Sequence, residues 1–473
     1  MTTTADASPK YNKNIILAIA TITAFILPFL VASVNVALPT IGRQFNMEAV
    51  VMTWTSTAYF LAIAIVQVPF GRLSDFFGRR RLFILGLAVS TFGSFLGGFA
   101  TSVPMLLLAR VFQGLGSGMT FNNAVAILSS VFSGKERAKA LGISQSGTYL
   151  GLSLGPLFGG FLTEHFGWQS IFFISGVMGV CLVILVLVGI KAEWRDARGE
   201  KLDVSGSLIY MVGIGAFMYG FSSLPSVTGI IMFAIGAVSL AVFVWWESRA
   251  PSPIFKIDLF RNNRIFVFSN IAALITYVST FALNYLLNLY LQYIKGLTPQ
   301  TTGLVLITAS VMMTTFTVLS GYISQKKDPR MLATLGMAID FIALAMFIFL
   351  GNNTPVWYVV MAMAVYGIGI GLFVSPNTNI IMESVENKVL GVASGILGTM
   401  RTAGMMSSMA ITMILFTVYI GNVEITSAYY PQFLTSVRIG FIIFSLVGLG
   451  GVIAQMVARN SDARNKKALN TKP

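Results

Sequence analysis

Between two long apolar runs lies Gly71-Arg72-Leu73-Ser74-Asp75-Phe76-Phe77-Gly78-Arg79-Arg80-Arg81, a basic segment with one carboxylate and two glycines. Hydrophobic sequence ends near Phe70 and resumes near Leu82, so only this stretch is available to reverse the chain. It predicts a short turn at a water interface between two adjacent antiparallel helices. Gly71 and Gly78 suit tight turning and close backbone approach. Asp75 is expected to face the N-terminus of a neighbouring helix or an arginine such as Arg79 or Arg80. Unpaired N–H groups, the helix dipole or a guanidinium would stabilise its carboxylate there, and such a contact would latch one conformation.

Hydrophobic residues make up 55% of the 473 and charged residues only 10%, a balance that excludes a water-soluble globular chain. A membrane-crossing helix needs about 20 apolar residues. Segmentation on that basis gives fourteen spans, near 14–36, 50–70, 82–101, 105–131, 139–163, 169–190, 204–222, 228–247, 265–291, 302–324, 331–350, 355–380, 390–419 and 433–457. An even number puts both termini on one side. That side collects 26 of the 31 Lys and Arg, which marks it as cytoplasmic because basic residues accumulate on cytoplasmic loops. The net charge of +14 is therefore a topology signal and does not call for a nucleic-acid partner. Residues 1–13 carry Lys10 and Lys13 but no small-residue cleavage site, so the first span is expected to be retained.

Several chemistries drop out. One Cys (Cys181) and one His give neither an intrachain disulfide nor an ordinary zinc site, so no metal and no cofactor is expected. The chain has no Gly-x-x-x-x-Gly-Lys-Ser/Thr loop and no clustered nucleophile, which argues against ATP hydrolysis and against an enzyme. A weak repeat supports two halves: residues 134–142 before the fifth span match 386–395 before the thirteenth, and 321–327 is a degraded copy of 71–81 with Gln325 in place of Asp75. The expected division is a cytoplasmic segment 1–13, a six-helix lobe 14–190, two extra spans with cytoplasmic links 191–264, a second six-helix lobe 265–457 and a basic cytoplasmic tail 458–473.

Within the fourth span, Arg110, Gln113 and Ser117 recur at helical spacing and share one face. An arginine inside a bilayer costs about 2.5 kcal/mol or more, so Arg110 calls for a polar interior with a partner, unless it snorkels to the interface. The fifth span contains Gly151-Leu152-Ser153-Leu154-Gly155-Pro156-Leu157-Phe158-Gly159-Gly160. Pro156 removes a backbone donor and bends the helix, while Gly151, Gly155, Gly159 and Gly160 allow a neighbour to pack closely, a combination suited to a hinge and an ion-tight seal. In the ninth span Tyr277, Asn284, Asn288 and Gln292 form an uncharged polar stripe suited to a wet central cavity or to interhelical hydrogen bonds. Asn122 and Asn123 in the fourth span, and Asn377 and Asn379 after Pro376 in the twelfth, add amides.

The 71–81 turn, the segment 106–118 around Arg110 and the 151–160 segment together resemble the major facilitator superfamily, specifically its fourteen-span drug/proton antiporter branch. The resemblance covers most of the chain. It implies an all-α fold of two six-helix lobes with two extra central helices, a monomer in the lipid bilayer of the cell inner (plasma) membrane, and alternating access to a site at mid-membrane. It further implies proton-coupled efflux of a small-molecule substrate, a coupling role for Arg110, and a cavity role for the polar helices. Val34-Asn35-Val36-Ala37-Leu38-Pro39 resembles the end of the branch's first helix, which brings Asn35 into that set. The sequence departs from the branch where Leu30 stands at the position of its usual aspartate, and where Gln169 and Ser175 replace an Arg and an Asn.

Of the seventeen acidic residues only Asp340 falls at mid-membrane depth. It stands either as a proton carrier in coupling or as a hydrogen-bonded structural acid, in a span whose counterpart in the superfamily is peripheral; Glu48, Glu164 and His165 are the other titrating candidates. A cavity rich in amides and aromatics with almost no fixed negative charge suits neutral, zwitterionic or anionic aromatic compounds better than lipophilic cations. A substrate-specific carrier or importer, for a metabolite or a vitamin such as a flavin, is the alternative.

Overall fold

The computed structural model describes residues 12–132, 134–195, 202–250, 263–324, 328–385, 390–421 and 423–470. The repeat segment at 386–389, residues 325–327 with Gln325, and the Pro251/Pro253 link lie outside the described residues, as does the side chain of Asn122. Fourteen long helices account for nearly all of the rest: α1 (Lys13–Phe45), α2 (Ala49–Phe77), α3 (Arg79–Gly98), α4 (Val103–Val131), α5 (Gly134–Phe166), α6 (Gln169–Gly189), α7 (Val204–Ser222), α8 (Val227–Glu247), α9 (Arg264–Leu289, continued by a π turn Tyr290–Ile294), α10 (Pro299–Ile323), α11 (Pro329–Phe347), α12 (Val356–Glu383), α13 (Leu390–Tyr419) and α14 (Tyr430–Asn470). Among the described residues, twelve of these are long and apolar enough to cross a membrane. The chain is a multi-pass membrane protein.

Several helices outrun the spans expected from hydropathy. α1 continues past Val36 through Pro39 to Phe45, where Asn46 adopts the left-handed conformation (φ 49°) and its N–H closes on the Gly42 oxygen. α2 continues past Phe70 to Phe77, and α14 runs through the expected tail to Asn470. Hydropathy reads the apolar slab and not the helix, which extends into water wherever its backbone bonds remain paired.

Helices α1–α6 form one lobe and α9–α14 the other. Close packing in the first lobe depends on glycines: a Cβ on Gly116 would stand 2.4 Å from the Gly86 oxygen of α3, and one on Gly114 2.2 Å from the Tyr59 oxygen of α2. The extra pair sits at the edge of the seam between lobes. α7 packs on α2 and α13, one helix from each lobe, and α8 packs on α7. The lobes meet directly along α2–α13 and α5–α10, with α1 touching α9 and α10. Because consecutive helices run antiparallel, the start of α1, the α2–α3 turn and the end of α14 share one end of the bundle, here called the basic end.

Candidate functional site

The α2–α3 junction is tighter than its sequence predicts. Only Gly78 is non-helical, with φ +111°, and Gly71 lies inside α2, where no turn requires its freedom. Asp75 accepts from Arg79 within the same hairpin, at 2.9 Å from Nη2 and 3.1 Å from Nε, with Arg72 at 3.8 Å. Arg79 then donates to Ser130 Oγ (2.6 Å) and the Ala126 oxygen (3.4 Å), placing its charge at the C-terminal end of α4 where the dipole favours a cation. The carboxylate at the N-terminus of α3 is Glu193, which follows α6: its Oε1 accepts from the Arg80 N–H at 2.8 Å, and Arg81 lies 3.8 Å from Oε2. A Cβ on Gly78 would stand 2.5 Å from that carboxyl. Glu193 was not legible as a partner because it lies 113 residues along the chain from the N–H it caps.

Arg110 is fully buried and does not snorkel. Its Nε donates to the Thr55 oxygen (3.0 Å), its Nη1 donates to Gln113 Oε1 (2.7 Å), and its guanidinium lies 4.4 Å over the Tyr59 ring. Gln113 passes the bond to Ser94 Oγ (3.0 Å), and the Tyr59 hydroxyl donates to Ser117 (3.0 Å), so the face that carries Arg110, Gln113 and Ser117 ties α4 to both α2 and α3. Stacking on an aromatic face offsets part of the cost of burying the cation.

The glycine-rich segment of α5 faces two ways. A Cβ on Gly151, Gly155 or Gly159 would stand 2.4–2.6 Å from α1, so these positions set the α1–α5 distance within the first lobe. Pro156 and Gly160 face α10 of the other lobe: a Cβ on Gly303 would lie 2.2 Å from the Pro156 oxygen, and one on Gly160 would lie 2.4 Å from the Pro299 oxygen. Proline has no N–H, so the carbonyl of Leu152, four residues earlier, lacks its helical donor. Ser310 of α10 supplies one at 3.2 Å.

Pro39 repeats this arrangement. The Asn35 carbonyl that it leaves free accepts from Asn288 Nδ2 of α9 at 2.6 Å, and Gln292 Nε2 reaches the Val36 oxygen (2.8 Å) and Asn288 Oδ1 (2.8 Å). Ser56 donates to Asn35 Oδ1 (2.9 Å), Thr53 and Tyr285 pair their hydroxyls (2.9 Å), and Arg43 stacks on Tyr293 at 5.2 Å. Glu164 at the end of α5 accepts from the Gln300 N–H in the first turn of α10 (3.1 Å). Apart from the Ser56–Asn35 bond within the first lobe and the Gln292–Asn288 bond within α9, these contacts cross between lobes on the side away from the basic end, so the bundle is closed there. Asn35 and Asn288 belong to this seal.

Towards mid-membrane the seam becomes more polar and less tightly buried. Thr402 of α13 donates to Gln67 of α2 (2.9 Å), and a half-buried group gathers around Tyr277: Arg401 of α13, Thr378 of α12, Thr317 of α10 and Tyr149 of α5. Asn284, one turn along α9 from Thr280, is half-buried and has no hydrogen-bond partner among the described residues. The other amides lie elsewhere. Asn123 is buried against its own helix through the Met119 oxygen (2.7 Å), Asn377 binds the Ser269 oxygen of α9 (3.2 Å), and Asn379 is exposed. Asp340 is 4% exposed, packed between α11 and α12 against Gly369, and its Oδ1 has no partner. It lies within electrostatic range of Tyr366, which also senses Tyr277.

A two-lobed helical bundle with a pseudo-repeat, a seal at one end and a polar group between the lobes defines a membrane transporter of small molecules. The chain belongs to the Major Facilitator Superfamily, whose sequence profile matches residues 20–409. It is 32% identical over 378 residues to the multidrug resistance protein Stp of Mycobacterium tuberculosis, covering 78% of this chain and 70% of that one. It is 28% identical over 396 residues to the riboflavin transporter RibZ of Clostridioides difficile, covering 82% and 85%. The crystal structure of a point mutant of the nucleoside transporter NupG superposes with a TM-score of 0.62 at 13% identity, covering 94% of this chain and all of the other, a likeness of fold alone.

Proposed function

We propose that this transporter exports small organic molecules from the cytoplasm in exchange for protons, by rocking its two lobes about the Tyr277 region. The observation that carries this reading is the asymmetry of the seam. Among the described residues, hydrogen bonds between lobes concentrate towards the end away from the basic turns, two of them on carbonyls that Pro39 and Pro156 free. With the basic end cytoplasmic, as the distribution of Lys and Arg argues, this is an inward-facing carrier in the plasma membrane with both termini inside. Asp340 is the proposed proton carrier, because it is a buried carboxyl whose Oδ1 has no hydrogen-bond partner and which lies near Tyr366. Arg110 is proposed to hold the α2–α4 contact rigid during the movement and so keep the proton and substrate steps coupled.

Similarity to Stp supports efflux of varied compounds, and similarity to RibZ keeps a specific carrier of a flavin-like metabolite as the second reading. Reconstitution in liposomes with an internal pH dye separates them. Proton movement on addition of several unrelated aromatic compounds supports antiport, and substrate exchange with one metabolite and no proton signal supports the specific carrier.

A further inference from the structure

The chain has two arginines deep within its helices, and they are treated differently. Arg110 is fully buried within the first lobe, its Nε and Nη1 bonded to Thr55 and Gln113, its face covered by Tyr59 and its Nη2 without an acceptor. Arg401 lies between the lobes. It is half-buried, one Nη2 donates to Thr378 Oγ1 at 3.0 Å, its guanidinium lies 5.8 Å from the Tyr277 ring, and its Nε is buried without an acceptor. Among the described residues it makes no ion pair. A guanidinium carries five N–H donors in a planar fork suited to a two-oxygen anion, and a single threonine hydroxyl uses one of them.

Two tyrosines from opposite lobes flank this cation. Tyr277 belongs to α9, and Tyr149 of α5 lies within electrostatic reach of both Arg401 and Tyr277, with Gln145 and Thr317 beside its hydroxyl. All of these side chains are half-buried. Arg401 is eleven residues from the start of α13, about 16 Å along the helix axis, so the group is at mid-membrane. A half-buried cation over one aromatic ring and near a second, with no carboxylate paired to it among the described residues, is electrostatically complementary to an anion attached to a flat ring.

We infer that Arg401, Tyr277 and Tyr149 form a substrate subsite selective for aromatic organic anions, the acid group paired with the Arg401 fork and the ring held between the tyrosines. This rests on the transporter reading and narrows its substrate class. It also gives Tyr149 and Arg401 a mechanical role: a ligand that touches both spans the lobes and is released when they part.

The test measures binding of 1-naphthoate, 1-naphthamide and 1-naphthylmethylammonium to the purified full chain in nanodiscs by titration calorimetry. Naphthoate is expected to bind about ten- to a hundredfold more tightly than the amide, the range of one charge-assisted pair, and the ammonium more weakly still. Arg401→Gln, which keeps a donor for Thr378, is expected to abolish the preference, and Arg401→Lys to retain part of it, both eluting as the wild type does in size-exclusion chromatography. Equal binding of acid and amide by the wild type, no binding of naphthoate, or an acid preference that survives in Arg401→Gln overturns the inference. Counterflow in vesicles tests the transporter reading separately: transport of neutral compounds without an anion preference sinks only the subsite, whereas anion-selective binding without any transport sinks only the carrier function.

Discussion

Asn288 donates its side-chain N–H to the backbone oxygen of Asn35 at 2.6 Å, taking up the carbonyl that Pro39 leaves without its usual partner in α1. Ser310 does the same for Leu152, the carbonyl freed by Pro156 in α5. In both cases a proline in the first lobe creates the acceptor and the second lobe supplies the donor, so the seal is strongest where the helices are weakest. Asn288→Leu leaves a buried carbonyl unpaired, which costs about 1–3 kcal/mol. The far end should open more often, and a cysteine at Met52, buried in that seam, should react roughly tenfold faster with an impermeant maleimide in a Cys181→Ser background. An unchanged rate would mean that Asn288 contributes nothing to the seal.

Gly78→Ala should disrupt the α2–α3 junction. The residue has φ +111°, a region that costs a side chain about 1–3 kcal/mol, and its new methyl would meet Glu193. A lower thermal unfolding midpoint is expected, and Glu193→Ala on top of Gly78→Ala should recover only the steric part of the loss.

Arg110→Lys keeps the charge but loses the fork that bonds Thr55 and Gln113 together. Stability should fall by about 1–3 kcal/mol, the cost of one orphaned buried polar group. Counterflow rates should fall with it while substrate affinity holds. Altered affinity with normal stability would place Arg110 in the substrate site instead.

Asp340→Asn preserves shape and removes the titration. Proton-driven transport is expected to vanish while substrate counterflow, which needs no net proton movement, continues. Retained proton coupling would return Asp340 to a structural role and direct attention to Glu164, which caps α10 across the seam.

Much of the architecture was legible in the sequence because membrane helices announce themselves by length and hydropathy; the weakly apolar segment at 204–222 forms α7 over the same residues. The glycines of α5 were recognisable as contact points, but not their division between α1 and α10, which depends on which face of the helix each neighbour takes. The polar stripe on α9 was visible, yet Asn288 and Gln292 bind α1 backbone at the seal while Tyr277 lies half-buried beside Arg401 nearer the centre, a difference of depth that periodicity does not encode. Arg401, like Arg110, lies within a span and on neither side of the membrane. The signal that singled out Arg110, a cation well inside an apolar span, applied to it equally.

Double electron–electron resonance between spin labels on opposite lobes tests the rocking of the lobes most directly. One pair, at Phe166 and Phe349, reports the sealed end and another, at Phe77 and Tyr322, reports the basic end; all four positions are exposed. Without substrate the first distance should be short and the second long. Adding transported compound across a pH step should lengthen the first as the second shortens, and two distances that stay fixed or change in the same direction would contradict alternating access in this protein.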